Sequence, residues 1–105
     1  MDTQYTYMEC CEMKGYLKYL ILWILGKNSM NGAEIGRELE KRRGTKPSPG
    51  TIYPALKELK NKGLVDVDKN KYYSLTPDGE KELKTSCKVF CKIFYDVDEM
   101  SDFCE

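Results

Sequence analysis

The spacing of apolar residues changes period along this chain, and the sharpest change falls between Ser48 and Pro77. At about 100° per residue, Ile52, Ala55, Leu56 and Leu59 share one side of a helix, while Tyr53, Lys57 and Asn61 lie opposite. Ser48-Pro49 has the form of an N-cap with proline in the first turn. Pro54 would then interrupt the helix at Gly50, so the expected start is Gly50 or Thr51, where the missing N–H does no harm. Gly63 is the expected stop. Leu64-Val65-Asp66-Val67 alternates as a half-buried strand, Asp68-Lys69-Asn70 supplies turn chemistry, and Lys71 to Leu75 forms the return strand. Thr76-Pro77 opens a further helix.

Upstream, Met13 to Leu25 reads as a helix with Leu17, Leu20, Ile21, Ile24 and Leu25 apolar, ended by Gly26. Tyr16, Tyr19 and Trp23 widen its apolar surface, which suits either half-buried packing or a partner subunit. Asn31 with Glu34 makes a capping box for a second helix, Ile35 and Leu39 point inward, and Gly44 terminates it. Lys41-Arg42-Arg43 falls at its C-terminal end, where positive charge favours the helix dipole. Beyond Thr76, Leu83, Cys87, Phe90, Phe94 and Val97 recur at spacings of four and three, continuing through Ser101 to Cys104 as a coiled-coil-like seam. Two phenylalanines on a terminal helix of so small a domain need a cover, and a second copy of the chain supplies one. The expected fold is mostly α with a small β-hairpin wing: residues 1–12 as an N-terminal extension, 13–76 as a winged helix-turn-helix, and 77–105 as a dimerisation helix.

An apolar-backed helix leading straight into a short basic hairpin is how such a domain reads duplex DNA. The formal net charge of zero conceals this. Residues 13–73 carry thirteen Lys and Arg against six Asp and Glu, a balance of +7, between acidic ends of −3 and −4. Phosphate binding needs such a basic module, although a solvated surface would have the same composition. Tyr53, Lys57 and Asn61 are the candidates for the major groove, and Lys46, Lys60, Lys69 and Lys71 for the phosphate backbone. Ser48 and Thr51 either cap the helix or donate to a phosphate.

The blocks LILWILGKNSMNGAEIGREL, SPGTIYPALKELKNKGLV and KYYSLTPDGEKEL resemble, in order and spacing, the PadR family of winged-helix transcriptional regulators over roughly residues 13 to 85. The resemblance implies a homodimeric, sequence-specific DNA-binding protein, usually a repressor, that dimerises through a C-terminal helix. Two-fold symmetry would set two recognition helices ~34 Å apart on a palindromic operator. One departure is the wing, which in many relatives is longer and arginine-rich; here it holds only Lys69 and Lys71, implying weaker wing contacts.

Five cysteines, Cys10, Cys11, Cys87, Cys91 and Cys104, exceed what packing calls for. Cys87 and Cys91 are one helical turn apart, and Cys10 with Cys11 would complete four thiolates for zinc or a redox switch. No CxxC occurs and histidine is absent, so small buried hydrophobes are the plainer expectation, with no metal and no cofactor. Without histidine, acid-base chemistry near neutrality has no evident carrier, and no enzyme is expected. With no apolar run of ~20 residues and no secretory signal, a cytoplasmic location is expected. A winged-helix adaptor between proteins and a metal- or redox-sensing regulator stay open as alternatives. The operator, the sign of regulation and any small-molecule effector leave no mark in the sequence.

Overall fold

A computed structural model describes residues 16–103 apart from Thr45, with the backbone alone at Arg43. The first helix, α1, runs over 16–27. It is followed by β1 (Met30–Asn31), α2 (Gly32–Arg43), α3 (Pro49–Asn61), β2 (Val65–Val67), β3 (Tyr72–Leu75), α4 (Pro77–Ile93) and α5 (Val97–Phe103). The strands form an antiparallel sheet in the order β1-β3-β2, with Val65 opposite Leu75 and Met30 opposite Tyr73. This is a winged helix-turn-helix with helices added at its C-terminal end.

The core lies where α1, α2 and α3 meet the sheet. Ile21, Ile24, Ile35, Leu39, Leu56, Leu59 and Val65 are fully enclosed there. Burying each such side chain stabilises the fold by roughly 1.5–3 kcal/mol relative to exposure. The expected inward face of α3, Ile52, Ala55, Leu56 and Leu59, is buried at all four positions. In α1 the buried stripe includes Leu22 as well, while Leu20 packs on it half-buried.

Short-range chemistry sets most boundaries as the sequence predicts. Asn31 Oδ1 accepts from the Glu34 amide at 2.8 Å, and the Asn31 amide donates to Glu34 Oε1 at 3.1 Å, a complete capping box. Gly44 ends α2 with φ +86°, and Gly63 follows α3 with φ +77°. At the second of these ends the Leu64 amide donates to the Leu59 carbonyl and the Gly63 amide to that of Lys60, so the last carbonyls of α3 are satisfied by a Schellman turn.

Four expectations are corrected. α3 begins at Pro49, because the Ser48 carbonyl accepts from both Thr51 and Ile52; Pro54 therefore sits inside the helix. Gly26 does not end α1 but lies within it, where a Cβ would come 2.8 Å from Leu83 Cδ2, so its smallness serves the approach of α4. The hairpin gains a third strand, β1. The seam predicted to run unbroken from Leu83 through Val97 to Cys104 stops at Phe94 (φ −111°, ψ 37°). A new helix starts where the Asp96 carbonyl accepts from Glu99 and Met100, and its acidic first turn favours that start. Cys104, Cys10, Cys11 and the rest of the N-terminal extension lie outside the described residues.

The end of α3 and the start of α4 are bound together by one side chain. Thr76 Oγ1 accepts from the Gly79 amide at 2.9 Å, capping α4, and donates to the Gly63 carbonyl at 2.6 Å. The Thr76 amide donates to the Leu64 carbonyl, and Gly79 is buried so close to that carbonyl that a Cβ would fall on its oxygen.

On the other side of α4, Tyr19 of α1 stacks on Phe90 at 5.8 Å, and Phe90 meets Phe94 at 4.8 Å. Leu83 of the predicted seam is thus a member of this chain's own core, and Cys87 packs half-buried against it. The Tyr19 hydroxyl lies 3.5 Å from Cys87 Sγ. Its pKa is pushed up to about 12, first by burial, then by that hydrogen bond and by the charges of Cys87 and Cys91. Among the described residues no helix is long and apolar enough to cross a membrane.

Two measurements test this packing. Thr76→Val should lower unfolding stability by about 1–2 kcal/mol, and Gly79→Ala by about 2 kcal/mol or more because backbone must move, as read from urea midpoints. A phenol that holds its proton more tightly when folded contributes fully below its ordinary value near 10, and the contribution fades as pH rises toward 12. The wild-type chain should therefore lose more stability than Tyr19→Phe over that interval, and the two should run parallel below it.

Candidate nucleic-acid interface

The outward side of α3 is built by the same periodicity that buries its inward side. Tyr53, Lys57, Lys60 and Asn61 are all exposed. Lys57 and Asn61 make no side-chain hydrogen bond or ion pair with the described residues, so their donors and acceptors are available. The one acidic group on the outer half of the helix is Glu58, turned toward α1. It accepts from Lys18 Nζ at 2.7 Å and lies 3.7 Å from Lys62 Nζ. The Lys18 hydrogen bond, more than the surrounding charges, holds its carboxyl below the usual carboxylate range. A carboxylate that would oppose phosphate is thereby kept ionised, paired and off the lysine-bearing side.

Tyr53 is different from its neighbours. It is 48% exposed, yet its ring lies on Gly32 in the first turn of α2, where a Cβ would fall on the Tyr53 hydroxyl. Tyr73 of β3 has its phenol pushed up first by burial and then by the charge of Tyr53. Tyr53 therefore joins α3 to the start of α2, a contact that periodicity alone does not reveal. The signal available in the sequence was Gly32 directly after the N-cap, where a side chain would ordinarily be tolerated.

In the turn between α2 and α3, the Lys46 stem crosses Gly36; a Cβ there would stand 3.2 Å from Lys46 Cε. Its ammonium end is exposed beside buried Pro47. Ser48 occupies the N-cap position without a side-chain cap, and its hydroxyl is 3.2 Å from that of Thr51. The two hydroxyls face one another at the head of α3, so capping by the Ser48 side chain is not their use. In the preceding helix, Arg42 Nη1 donates to the Glu38 carbonyl and, with Lys41, pairs with the Glu38 carboxylate; the Arg42 bond leads in holding that carboxyl low. These two cations are committed to the end of α2, as dipole complementarity suggests.

The wing is small and firm. Asp68 Oδ1 accepts from the amides of Asn70 and Tyr72, both at 2.9 Å, and the Lys71 amide donates to the Asp68 carbonyl. Lys71 adopts φ +66°, a left-handed position that this closed loop imposes. Lys69 and Lys71 stand exposed at the tip.

Residues 21–85 match the model of the transcriptional regulator PadR-like family. Among solved structures, a PadR-like transcription factor from Bacteroides fragilis is 27% identical with a TM-score of 0.73, over 90% of this chain and 98% of that one. A PadR-like transcriptional regulator from Bacillus cereus is 25% identical with a TM-score of 0.71, over 90% and 95%. RosR of H. salinarum is 32% identical with a TM-score of 0.67, over 82% and 84%. No curated protein matches the chain.

The Tyr53 contact gives a direct test. Gly32→Ala should displace the Tyr53 ring, destabilising the chain by about 1–3 kcal/mol; Gly32→Ala combined with Tyr53→Ala, which removes the clash, should recover part of that loss in thermal melts.

Proposed function

The chain belongs to the PadR-like family of transcriptional regulators, and from that membership we propose that it is a repressor that binds a palindromic DNA operator as a homodimer in the cytoplasm. The observation that carries this reading is the outer side of α3: Lys57 and Asn61 free, Lys60 beside them, and Glu58 drawn aside by Lys18 and Lys62. In a major groove, Lys57 donates to guanine and Asn61 pairs with adenine. Ser48, Thr51, Lys46, Lys69 and Lys71 serve the phosphate backbone, which fixes register without reading sequence. Tyr53 reaches the DNA only with the part of its ring that Gly32 leaves uncovered.

Dimerisation falls to α4 and α5. Leu83 and Cys87 are already engaged with α1, which leaves Val89, Ile93, Tyr95, Val97, Met100 and Phe103 exposed, Phe103 at 92%. Beside them an open groove of about 540 Å³ between α1 and α4 is lined by Tyr16, Val89, Phe90, Ile93 and Phe94. An apolar surface of this extent is covered in a stable regulator, and a second copy brings the same surface to it. Phe90, stacked on Tyr19 of α1, and Phe94 line the groove half-buried, where a second copy would meet them.

Selection of duplexes from a random pool, followed by fluorescence anisotropy, tests the reading. Affinity for the selected duplex should fall steeply with salt, and Lys57→Ala should weaken it tenfold or more without changing the melting temperature. Lys69→Ala and Lys71→Ala should weaken all duplexes alike, each reducing the salt slope by about one. Sedimentation should find a dimer at micromolar concentration, and Ile93→Asp a monomer. A chain that selects no duplex, or binds with no salt slope, is an adaptor instead.

A further inference from the structure

Cys87 and Cys91 are both free thiols, one helical turn apart on α4. Cys87 is half-buried with its sulfur against the Tyr19 hydroxyl, whereas Cys91 is exposed. Helical spacing places Cys91 on the same side of α4 as Cys87, one turn further along. At about 100° per residue, Val89 and Ile93 lie on the opposite flank of α4 from Cys91. Cys91 is thus exposed on a flank that does not carry those apolar residues. No third cysteine, histidine or carboxylate joins the pair among the described residues. Among the described residues the edge thus offers a pair of soft donors at a spacing that one centre can bridge.

We propose that Cys87 and Cys91 form a dithiol site for a soft, thiophilic centre that is satisfied by two sulfur ligands, the class to which trivalent organoarsenicals belong. Residues four apart on a helix hold their Cβ atoms about 5–6 Å from one another, near enough for two thiolates to close on a single atom. With hydrated phenylarsine oxide, two As–S bonds replace two As–OH bonds. Each thiol proton leaves with a hydroxyl as water, and arsenic stays trivalent, so no oxidant or reductant is required. Binding draws Cys87 away from the Tyr19 hydroxyl, at the place where α1 and α4 pack.

The test uses the full chain with Cys10, Cys11 and Cys104 changed to serine, treated with phenylarsine oxide in the presence of excess glutathione and read by native mass spectrometry. One phenylarsenic group per chain should be retained, and Cys87→Ser or Cys91→Ser should weaken retention at least tenfold, because a single thiol exchanges freely with glutathione. Should the serine background fail to fold, the otherwise unaltered chain should retain one group more than its Cys87→Ser/Cys91→Ser variant. Equal retention by the single-thiol variants, or equal numbers of groups in the second comparison, overturns the proposal.

Discussion

The Thr76 hydroxyl is the hinge pin of this structure. As acceptor it caps α4, and as donor it holds the Gly63 carbonyl, just past the end of α3. The Leu64 carbonyl beside it takes the Thr76 amide and leaves no room for a side chain at Gly79. Two helix ends, each with backbone groups that need partners, are thus satisfied by one another across the base of the wing. The end of α3 and the start of α4 are consequently tied at a single junction.

Charge is distributed with the same economy. The lysines on the outward side of α3 make no ion pair with the described residues, while two nearby acids are occupied elsewhere: Glu58 with Lys18 and Lys62, Glu38 with Lys41 and Arg42. Exposed pairs of this kind add little to stability. Their effect is to direct the electrostatic field, since a carboxylate that shares its charge with two cations repels phosphate weakly. The wing follows a different rule, with its loop closed by Asp68 through main-chain amides so that Lys69 and Lys71 are carried on a fixed tip.

The α1–α4 seam divides α4 into two flanks. One carries Val89 and Ile93 into an open apolar groove; the other carries the Cys87–Cys91 pair. Tyr19 stands between them, its ring on Phe90 and its hydroxyl on Cys87, so that packing and thiol chemistry meet at one residue.

Features that depend on neighbours a few positions away can be read along the chain. The Asn31–Glu34 capping box, the glycine stops at Gly44 and Gly63, the inward stripe of α3 and the turn at Asp68 all rest on backbone hydrogen bonds or 3.6-residue periodicity, and all were legible. The outward placement of Lys57 and Asn61 followed from the same periodicity. Long-range packing alone makes Gly26 serve the approach of Leu83 rather than a helix end, adds Met30 and Asn31 to the hairpin as a strand, and turns Leu83 and Cys87 toward α1. It also decided that Tyr53 rests on Gly32, and that the regular apolar spacing past Phe90 is cut at Phe94. The reason is physical: periodicity states which residues share a side of an element, but the identity of the surface that covers that side depends on long-range contacts that no local spacing encodes.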